Sequence, residues 1–568
     1  MSVGTIMQVG NVYKIEFAYR PAITEAVKAL PERKFVYAEK YWTVPVQYSA
    51  AVRAFAEKHK LEFSVQPLQE PEENFVIPPL PELTINIPTN RPMLPWQPGG
   101  VAYAMEKQRL ILGDDMGLGK TSQAIIAMEG LNIQGKAAYP CLIICPSAVK
   151  ENWVLEIKAN VKRTGIVLKD SVKNTFPEFF RVGMSQYFIC NFESLKKYFV
   201  TKIDDPGKDD NGRKKPLRIN NIHFNQKLLD FFKAVIVDES HKVKALTALN
   251  TKFTKGICIG KETVFLLTGT PIVNKPKDLV SQLGILDRLK DFGGYKNFEK
   301  RYCSGPKEAS NLKELNYKLN LICFYRRNKT DPEIKKFLPD KARQVIQCEL
   351  DAAHRREYMH AQADLESYMV NVKNQTDEQV KKSMKGEVMV RIGILKNISA
   401  RGKLADAFSF IQDIIDNGQK IVVFASLKDV IAKVQERFPK SVRVTGAEDG
   451  RQKQAAVEAF QNDPKIQVIV LNLKAGGVGI NGLQNVATQI CFIEFGWHAA
   501  IMDQAEDRLY RTGQHANVMC TYFLGKNTID EWNYKLINSK REIANTVTGA
   551  EDNTEETLVD SVMSLFSK

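Results

Sequence analysis

The chain has 568 residues, of which 44% are hydrophobic and 26% charged. This balance excludes wholesale disorder, collagen and a small disulfide-stapled scaffold. The 80 Lys and Arg outnumber the 65 Asp and Glu, and the formal charge of +15 favours a polyanionic partner such as nucleic acid. A basic surface without any such partner remains the alternative.

The cysteines, the N-terminus and the apolar runs argue against a zinc-binding, disulfide-rich, secreted or membrane-spanning protein. The nine cysteines are scattered and form no C-x-x-C pair, so we expect neither a zinc site nor a disulfide framework. The N-terminus does not read as a signal peptide. No apolar run approaches the roughly 18 residues of a membrane span, so we expect no membrane partner.

The N-terminal residues 1–66 predict a small basic α+β module. They read as strand, helix, strand and helix over residues 13–19, 20–30, 34–46 and 49–60. A Pro-rich, lysine-free stretch follows over residues 67–91 and predicts an extended linker.

Two long regions, 92–325 and 396–548, alternate aliphatic runs with amphipathic helices. The runs RLILGDD, CLIICP, AVIVDE and TVFLLTG lie in the first region, and KIVVFAS, IQVIVLN, ICFIEF and VMCTYFL in the second. Such runs are typical of parallel strands buried on both faces. The charged residues 326–395 predict a helical bridge and residues 549–568 a tail. The fold class is therefore α/β, with two parallel-sheet lobes joined by the bridge.

The strongest motif is LILGDDMGLGKTSQAII, residues 110–126, a buried strand followed by a Gly-rich turn and a helix. Gly117 and Gly119 let the backbone wrap a phosphate, and the helix N-terminus offers unpaired N–H groups to the same anion. Lys120 would add a charge near the β- and γ-phosphates, and Thr121 a hydroxyl ligand for Mg²⁺. The loop departs from the usual pattern because Asp114 stands where its first glycine is expected.

An acidic pair supplies the second half of a phosphoryl-transfer site. The buried run AVIV ends at Asp238 and Glu239, followed by Ser240 and His241. Asp238 would hold Mg²⁺ through water, and Glu239 would orient the attacking water as general base.

The order of the motifs resembles that of a known family. GDDMGLGKT, DESH, LLTGTP, NLKAGGVGIN and QAEDRLYRTGQ occur as in superfamily-two helicases and in detail resemble Swi/Snf-type DNA-dependent ATPases, over about residues 91–532. CPSAVKENWVLEI and FYRRNKTDPEIKKFLPDK support the likeness. The resemblance implies two RecA-like lobes with ATP and Mg²⁺ in the cleft between them.

The resemblance also assigns residues. Gln97 matches the glutamine that reads adenine, Arg508 and Arg511 match arginines that reach the γ-phosphate from the second lobe, and Gln504 matches a residue that helps seal the interface. The phosphate loop contributes the remaining nucleotide contacts: Asp115, Met116, Gly117, Leu118, Gly119, Lys120, Thr121 and Ser122.

DNA contacts implied by the same likeness lie in loops of both lobes. They are Thr270, Lys474, Gly477 and Asn481, which would grip backbone phosphates. For Lys474 a solvated loop lysine remains the alternative.

The N-terminal module has a weaker resemblance to the HARP domain of annealing helicases, based on ALPERKFVYAEKYW and on FGGYKNFEKRYC after the first lobe. It implies a reader of forks or strand junctions. The charged and aromatic candidates are Arg33, Lys34, Lys40, Tyr41 and Trp42. A core position in a small sheet is the alternative for Trp42.

These observations together favour an ATP-driven DNA translocase that reanneals or branch-migrates duplex or forked DNA, acting in DNA repair. We expect a monomer. It would be cytoplasmic, associated with the nucleoid of a prokaryote or in the host cytoplasm for a viral source, and it would be nuclear in a eukaryote. A strand-separating helicase on DNA or RNA remains one alternative. A DNA-binding scaffold switched by nucleotide is the other.

Overall fold

A computed structural model describes residues 4–9, 12–36, 39–64, 75, 77–136, 138–173, 175–210, 212–269, 276–303, 310–374, 378–473 and 480–546. The chain divides into two units, one formed mainly by residues 1–77 and the other by the remainder. The predicted tail lies outside the described residues, as do Thr270, Lys474 and Gly477.

The N-terminal unit is a five-stranded sheet of order β3-β4-β2-β1-β5 with two helices. Its elements are β1 (Gly4–Val9), β2 (Val12–Phe17), α1 (Pro21–Lys28), β3 (Lys34–Val36), β4 (Tyr41–Pro45), α2 (Ser49–His59) and β5 (Glu62–Ser64). Apolar residues of the strands and helices, such as Ile15, Val27, Val44 and Val52, form a core of their own.

Both predicted helices of this unit are confirmed, but its sheet is larger than predicted. The single strand predicted over residues 34–46 is wrong, because the chain reverses at Lys40, whose φ is 55°, and forms two antiparallel strands. The sequence reading also missed β1 and β5, which pair with each other in parallel.

The first lobe is built on a seven-stranded, entirely parallel sheet of order β14-β6-β13-β12-β7-β9-β8. Its strands are β6 (Arg109–Leu112), β7 (Cys141–Cys145), β8 (Gly165–Val167), β9 (Tyr187–Asn191), β12 (Ala234–Asp238), β13 (Thr263–Leu267) and β14 (Phe324–Tyr325), and β10 (Val200–Ile203) pairs with β11 (Ile222–Phe224) as a separate ribbon. The four aliphatic runs of this region are thereby confirmed as buried parallel strands.

Helices cover this sheet and bury its aliphatic residues. They are α3 (Gln97–Lys107), α4 (Lys120–Ile133), α5 (Lys150–Asn160), α6 (Phe176–Arg181), α7 (Leu195–Phe199), α8 (Gln226–Phe231), α9 (Leu249–Cys258), α10 (Lys277–Ile285), α11 (Gly294–Tyr302) and α12 (Leu312–Ile322). The described end of the Pro-rich linker packs against the same core through Ile87, which is buried, and through Leu80 and Leu83.

The predicted helical bridge is only partly helical. After the short α13 (Pro332–Lys335), strand β15 (Lys341–Cys348) pairs with the second lobe's sheet. The helices α14 (Ala352–Asn374) and α15 (Glu378–Gly402) then pack together around Leu365, Ile392 and Leu395.

The second lobe has a six-stranded parallel sheet of order β15-β20-β19-β16-β18-β17. Its elements are α16 (Leu404–Asp416), β16 (Ile421–Phe424), α17 (Lys428–Arg437), β17 (Val442–Val444), α18 (Gly450–Asn462), β18 (Val468–Leu471), β19 (Gln489–Phe492), α19 (Ala499–Glu506), β20 (Val518–Gly525) and α20 (Ile529–Thr546). The α/β class with two parallel-sheet lobes is confirmed. Among the described residues, no helix has the length and apolarity to cross a bilayer.

One buried ion pair joins the start of α16 to the start of α20. Lys403, 1% exposed, lies with its Nζ 2.6 Å from Asp530 Oδ2 and donates to the Phe523 carbonyl at 2.8 Å. The same carboxylate oxygen accepts from Ser399 Oγ at 2.6 Å. Because both charges are removed from water, each depends on the other for compensation.

We expect Lys403→Met to lower the free energy of unfolding by about 3–5 kcal/mol, since it leaves Asp530 buried and uncompensated. Urea denaturation of the full chain measures this change. Lys526→Met is the matched control because Lys526 pairs with Glu349 at 2.7 Å on the surface, where both side chains are more than half exposed. Equal losses in the two variants would contradict the prediction.

Candidate functional site

The phosphate loop connects β6 to α4 at the carboxyl edge of the first lobe's sheet. Gly117 and Gly119 have φ values of 83° and 84°, in the left-handed region that favours glycine. A Cβ at Gly119 would lie 2.2 Å from Nε2 of Gln97, so the loop cannot accept a side chain there without displacing that amide. The loop therefore keeps its backbone open at the start of α4, where an anion would bind.

Lys120 begins α4 and turns its ammonium group back into the loop. Its Nζ donates to the carbonyl oxygens of Asp114 at 2.6 Å and Asp115 at 3.1 Å. Burial lowers the pKa of Lys120, while the negative charges of Asp114 and Glu239 oppose that shift. A partly desolvated ammonium group among carboxylates is suited to a phosphate.

Asp114 has a structural task that explains why it replaces a glycine. The side chain is fully buried; Oδ2 accepts from Gln123 Nε2 and Oδ1 from the Arg327 amide, both at 2.8 Å. Burial raises the pKa of Asp114 to about 6. This carboxylate therefore attaches the loop both to α4, through Gln123, and to the segment that follows β14, through Arg327.

The acidic pair, Asp238 and Glu239, lies at the same edge of the sheet as the start of the phosphate loop. Asp238 pairs with Leu267, and Leu267 with Leu112, so the three strand ends meet at one edge. Burial and the neighbouring charge of Glu239 raise the pKa of Asp238 to about 6. For Glu239, burial favours protonation, but His241, Lys120 and Arg508 outweigh it and lower the pKa. Glu239 is thus kept ionised, as a general base requires.

Two contacts orient the acidic pair. The indole Nε1 of Trp153, on α5, donates to Asp238 Oδ2 at 2.9 Å. His241 Nδ1 lies 3.2 Å from Glu239 Oε2. The Thr121 hydroxyl lies in the first turn of α4, which follows the phosphate loop at the same edge of the sheet. Carboxylate and hydroxyl oxygens are donors that Mg²⁺ prefers, so the residues fit this ion, and Asp238 and Thr121 would hold it.

The second lobe brings one arginine to the same loop and a second to the neighbourhood of Glu239. Arg511 packs so closely that a Cβ at Gly117 would lie 2.7 Å from the arginine Cβ, and Thr512 Oγ1 donates to the Gly117 carbonyl at 2.9 Å. Arg508 donates to the Ile480 carbonyl at 2.9 Å and is close enough to Glu239 to lower its pKa. Burial lowers the pKa of Arg508 to about 10, with the positive charge of Arg511 adding to the shift.

The two glutamines predicted from the resemblance, Gln97 for adenine and Gln504 for sealing the interface, lie in different lobes. Gln97, buried at the start of α3, accepts from the Leu94 amide at 2.9 Å and directs its Nε2 toward the Leu118 carbonyl at 3.4 Å. Gln504 lies half-buried on α19, one turn before Arg508. Trp96 and Leu118 pack with Tyr510 of the second lobe, so apolar surface from both lobes borders this end of the cleft.

Of the predicted DNA contacts in the lobes, the structure describes only Asn481. Its Nδ2 donates to Asn152 Oδ1 at 2.9 Å, and its Oδ1 accepts from Arg511 at 2.8 Å. Asn481 is therefore held between the lobes, against the second arginine.

The candidates of the N-terminal unit divide between the two faces of its sheet. Arg33, Lys34 and Lys40 are exposed. Trp42 is half-buried against Phe35, with ring centroids 4.9 Å apart, on the same face as the fully buried Val44. Tyr41 points to the other face, where Lys14 Nζ lies 4.2 Å from its ring centroid.

Sequence reasoning missed two groups that hold this site together. They are Trp153 behind Asp238 and the segment 326–329 beside the phosphate loop. Both lie in stretches, CPSAVKENWVLEI and FYRRNKTDPEIKKFLPDK, that are quoted above only as support. A buried Trp or an Arg-Lys run has no spacing that indicates its partner, so the motifs alone could not assign these roles.

Comparisons with known proteins agree with this arrangement. A family model described as the SNF2-related domain matches residues 49–403, more than half of the chain, and one described as the helicase conserved C-terminal domain matches residues 406–513.

Curated relatives extend the match along the chain. A SWI/SNF-related matrix-associated actin-dependent regulator of chromatin subfamily A-like protein 1 homolog of Caenorhabditis elegans is 26% identical over 589 residues, covering 96% of this chain and 76% of the relative. The DNA annealing helicase and endonuclease ZRANB3 of Bos taurus is 29% identical over 469 residues, but the match covers only 40% of its length. A solved SWI2/SNF2 ATPase core of Sulfolobus solfataricus in complex with dsDNA is 22% identical, with a TM-score of 0.39, and the match covers 85% of this chain and 97% of that one.

Trp153→Phe removes the donor to Asp238 and should raise the pKa of that carboxyl further above its ordinary value. Because a cation competes with the proton for the carboxylate, the Mg²⁺ concentration for half-maximal nucleotide hydrolysis should rise, and more at pH 6 than at pH 8. Mg²⁺ titrations at both pH values measure this. Trp532→Phe, in the second lobe, is the control. An unchanged Mg²⁺ requirement at pH 6 would refute the role of Trp153.

Proposed function

The chain belongs to the SNF2-related family of helicase-like, DNA-dependent ATPases, and from this premise we propose that it is an ATP-driven DNA translocase that reanneals or branch-migrates duplex or forked DNA. The observation that carries the proposal is the contact of Arg511 and Thr512, from the second lobe, with Gly117 of the phosphate loop in the first. A site completed by two separate sheets makes hydrolysis conditional on how the lobes meet.

The proposed chemistry follows from the charges around the cleft. Lys120 and the loop amides bind the phosphates of ATP, and Glu239 orients and deprotonates the attacking water. Mg²⁺, held by Asp238 and Thr121, supplies charge neutralisation of the phosphate oxygens. Arg508 and Arg511 stabilise the negative charge that spreads over the transferred group, as arginines supplied in this manner do in phosphoryl transfer.

Movement along DNA follows if the lobes grip DNA differently in their two arrangements. Each turnover changes the contacts between Asn481, Arg511 and Asn152, so the loop carrying Asn481 shifts relative to the first lobe. The protein would advance by contacting the backbone phosphates of DNA, and such contacts do not depend on the base sequence. The contacting groups would be that loop, Thr270, Lys474 and Gly477.

The proposal that the motor anneals DNA strands, and does not separate them, is based on the relatives. Proteins named DNA annealing helicases are among them, and we extend that activity to this chain. The chain covers only 40% of the length of the ZRANB3 relatives, so we extend the motor activity and not the endonuclease named with it. The N-terminal unit, with Arg33, Lys40 and the Lys14–Tyr41 pair, is proposed as the reader of forked DNA.

Arg508→Ala should bind ATP with little change yet hydrolyse it at least 10³-fold more slowly, because the arginine acts on the transition state. Lys120→Ala and Glu239→Gln should abolish turnover. Nucleotide titration and steady-state hydrolysis with duplex DNA separate the two effects. Arg443→Ala, on the edge strand β17, is the control. Wholesale loss of ATP affinity in Arg508→Ala would contradict the assignment.

The DNA specificity is tested by hydrolysis rates with duplex, forked and single-stranded DNA and with RNA. We expect the greatest stimulation by forked or duplex DNA and a steep loss of binding with salt. Stimulation by RNA would instead favour a strand-separating helicase, and no turnover would favour a nucleotide-switched scaffold.

Combining Arg33→Gln with Lys40→Gln should weaken the binding of forked DNA. It should also reduce the slope of log binding constant against log salt concentration by about two. Lys28→Gln on α1 is the control and should change neither quantity.

A further inference from the structure

The chain that leaves the first lobe runs beside the phosphate loop before it reaches the second. We call residues 324–340 the inter-lobe linker. Its first strand, β14, pairs with β6, and the pairing continues past both strands: Gly113 donates to the Tyr325 carbonyl at 2.7 Å and Asp115 to the Arg327 carbonyl at 2.9 Å. The loop and the linker thus share one set of backbone hydrogen bonds.

The two loop carboxylates complete this attachment. Asp114 Oδ1 accepts from the Arg327 amide at 2.8 Å, and Asp115 Oδ2 accepts from the Lys329 amide at 2.9 Å. Arg326 adds an ion pair with Asp115 at 3.2 Å. The backbone position of Lys329 is therefore fixed by the phosphate loop.

The side chain of Lys329 crosses to the second lobe. It is only 7% exposed. Its Nζ lies 2.7 Å from Asp507 Oδ1, donates to the Tyr510 carbonyl at 2.6 Å and is 4.7 Å from the Tyr510 ring centroid. These partners flank Arg508 and precede Arg511 in the sequence. One lysine therefore contacts the loop through its amide and the arginine segment through its ammonium group.

We propose that Lys329 is a positioning residue that couples the phosphate loop to the arginines of the second lobe. A loop rearranged by triphosphate moves Asp115, the Lys329 amide moves with it, and the ammonium group carries Asp507 and Tyr510 to the arrangement in which Arg508 and Arg511 face the substrate. The proposal rests on the proposed function, since it names what assembles that site. In this proposal Lys329 acts through Asp507 and Tyr510 and not on a reacting atom.

A neighbouring lysine offers a matched comparison. Lys341 is half-buried, pairs with Glu506 at 2.7 Å and lies 4.8 Å from the Tyr510 ring centroid. Glu506, however, keeps Arg343 and Tyr522 when Lys341 is lost, and Lys341 lies on β15 within the second lobe's own sheet. Each of the two lysines thus has an acidic partner and lies near the ring of Tyr510, but only Lys329 is connected to the phosphate loop.

The test compares Lys329→Met, Lys329→Arg, Asp507→Asn and Lys341→Met in the full chain. For each variant, ATP affinity, the DNA-stimulated kcat and the melting temperature are measured. We expect Lys329→Met to lower kcat by about 10²-fold, as a misplacement of about 1 Å at a catalytic group does, while ATP affinity stays near wild type. Lys329→Arg should recover much of the rate, and Lys341→Met should keep kcat while melting earlier.

The double variant Lys329→Met with Asp507→Asn should be no slower than either single variant, because both remove one interaction. Hydrogen exchange of residues 505–512 should accelerate in Lys329→Met and not in Lys341→Met. Wild-type kcat in Lys329→Met, or equal losses in both lysine variants, would overturn the proposal. Absence of DNA-stimulated hydrolysis in the wild type would instead overturn the proposed function, so the two failures are distinguishable.

Discussion

The site depends on a glycine at position 117, because no residue with a side chain fits there. Its left-handed backbone opens the loop toward an anion, and its lack of a Cβ lets Arg511 pack directly against it. Any larger residue would serve neither purpose, because L side chains rarely adopt this conformation and the added atom would lie 2.7 Å from the arginine. One position therefore keeps the loop open where a phosphate would bind and also allows the contact between the lobes.

Around that contact the cleft concentrates charge in a desolvated space. Lys120, Arg508 and Arg511 oppose Asp114, Asp238 and Glu239, and burial shifts the pKa values of nearly all of them. Such an arrangement costs stability unless every charge has a partner. His241 within the DESH motif, together with Trp153 and the inter-lobe linker, supplies partners that also orient these charged groups.

The linker shows how connectivity adds to chemistry. A parallel sheet places its loops at one edge, but nothing in that rule requires the chain to pass the phosphate loop on its way to the second lobe. Here β14 lies beside β6, so the exit from one lobe is bonded to the loop through Asp114 and Asp115. The substitution of aspartate for the expected glycine is thereby explained as a tether.

The sequence alone determined the class of fold and the aliphatic strands, and it predicted the phosphate loop and the acidic pair, because these depend on periodicity and on residues adjacent in the chain. It also placed the arginines through a resemblance. Only the tertiary structure decided that β3 and β4 pair antiparallel, that β15 completes the second sheet and that Trp42 faces a core. It alone also showed that Trp153 contacts Asp238 and that Lys329 contacts Asp115 and Asp507. These outcomes depend on pairings between residues far apart in sequence, whose partners no local pattern specifies.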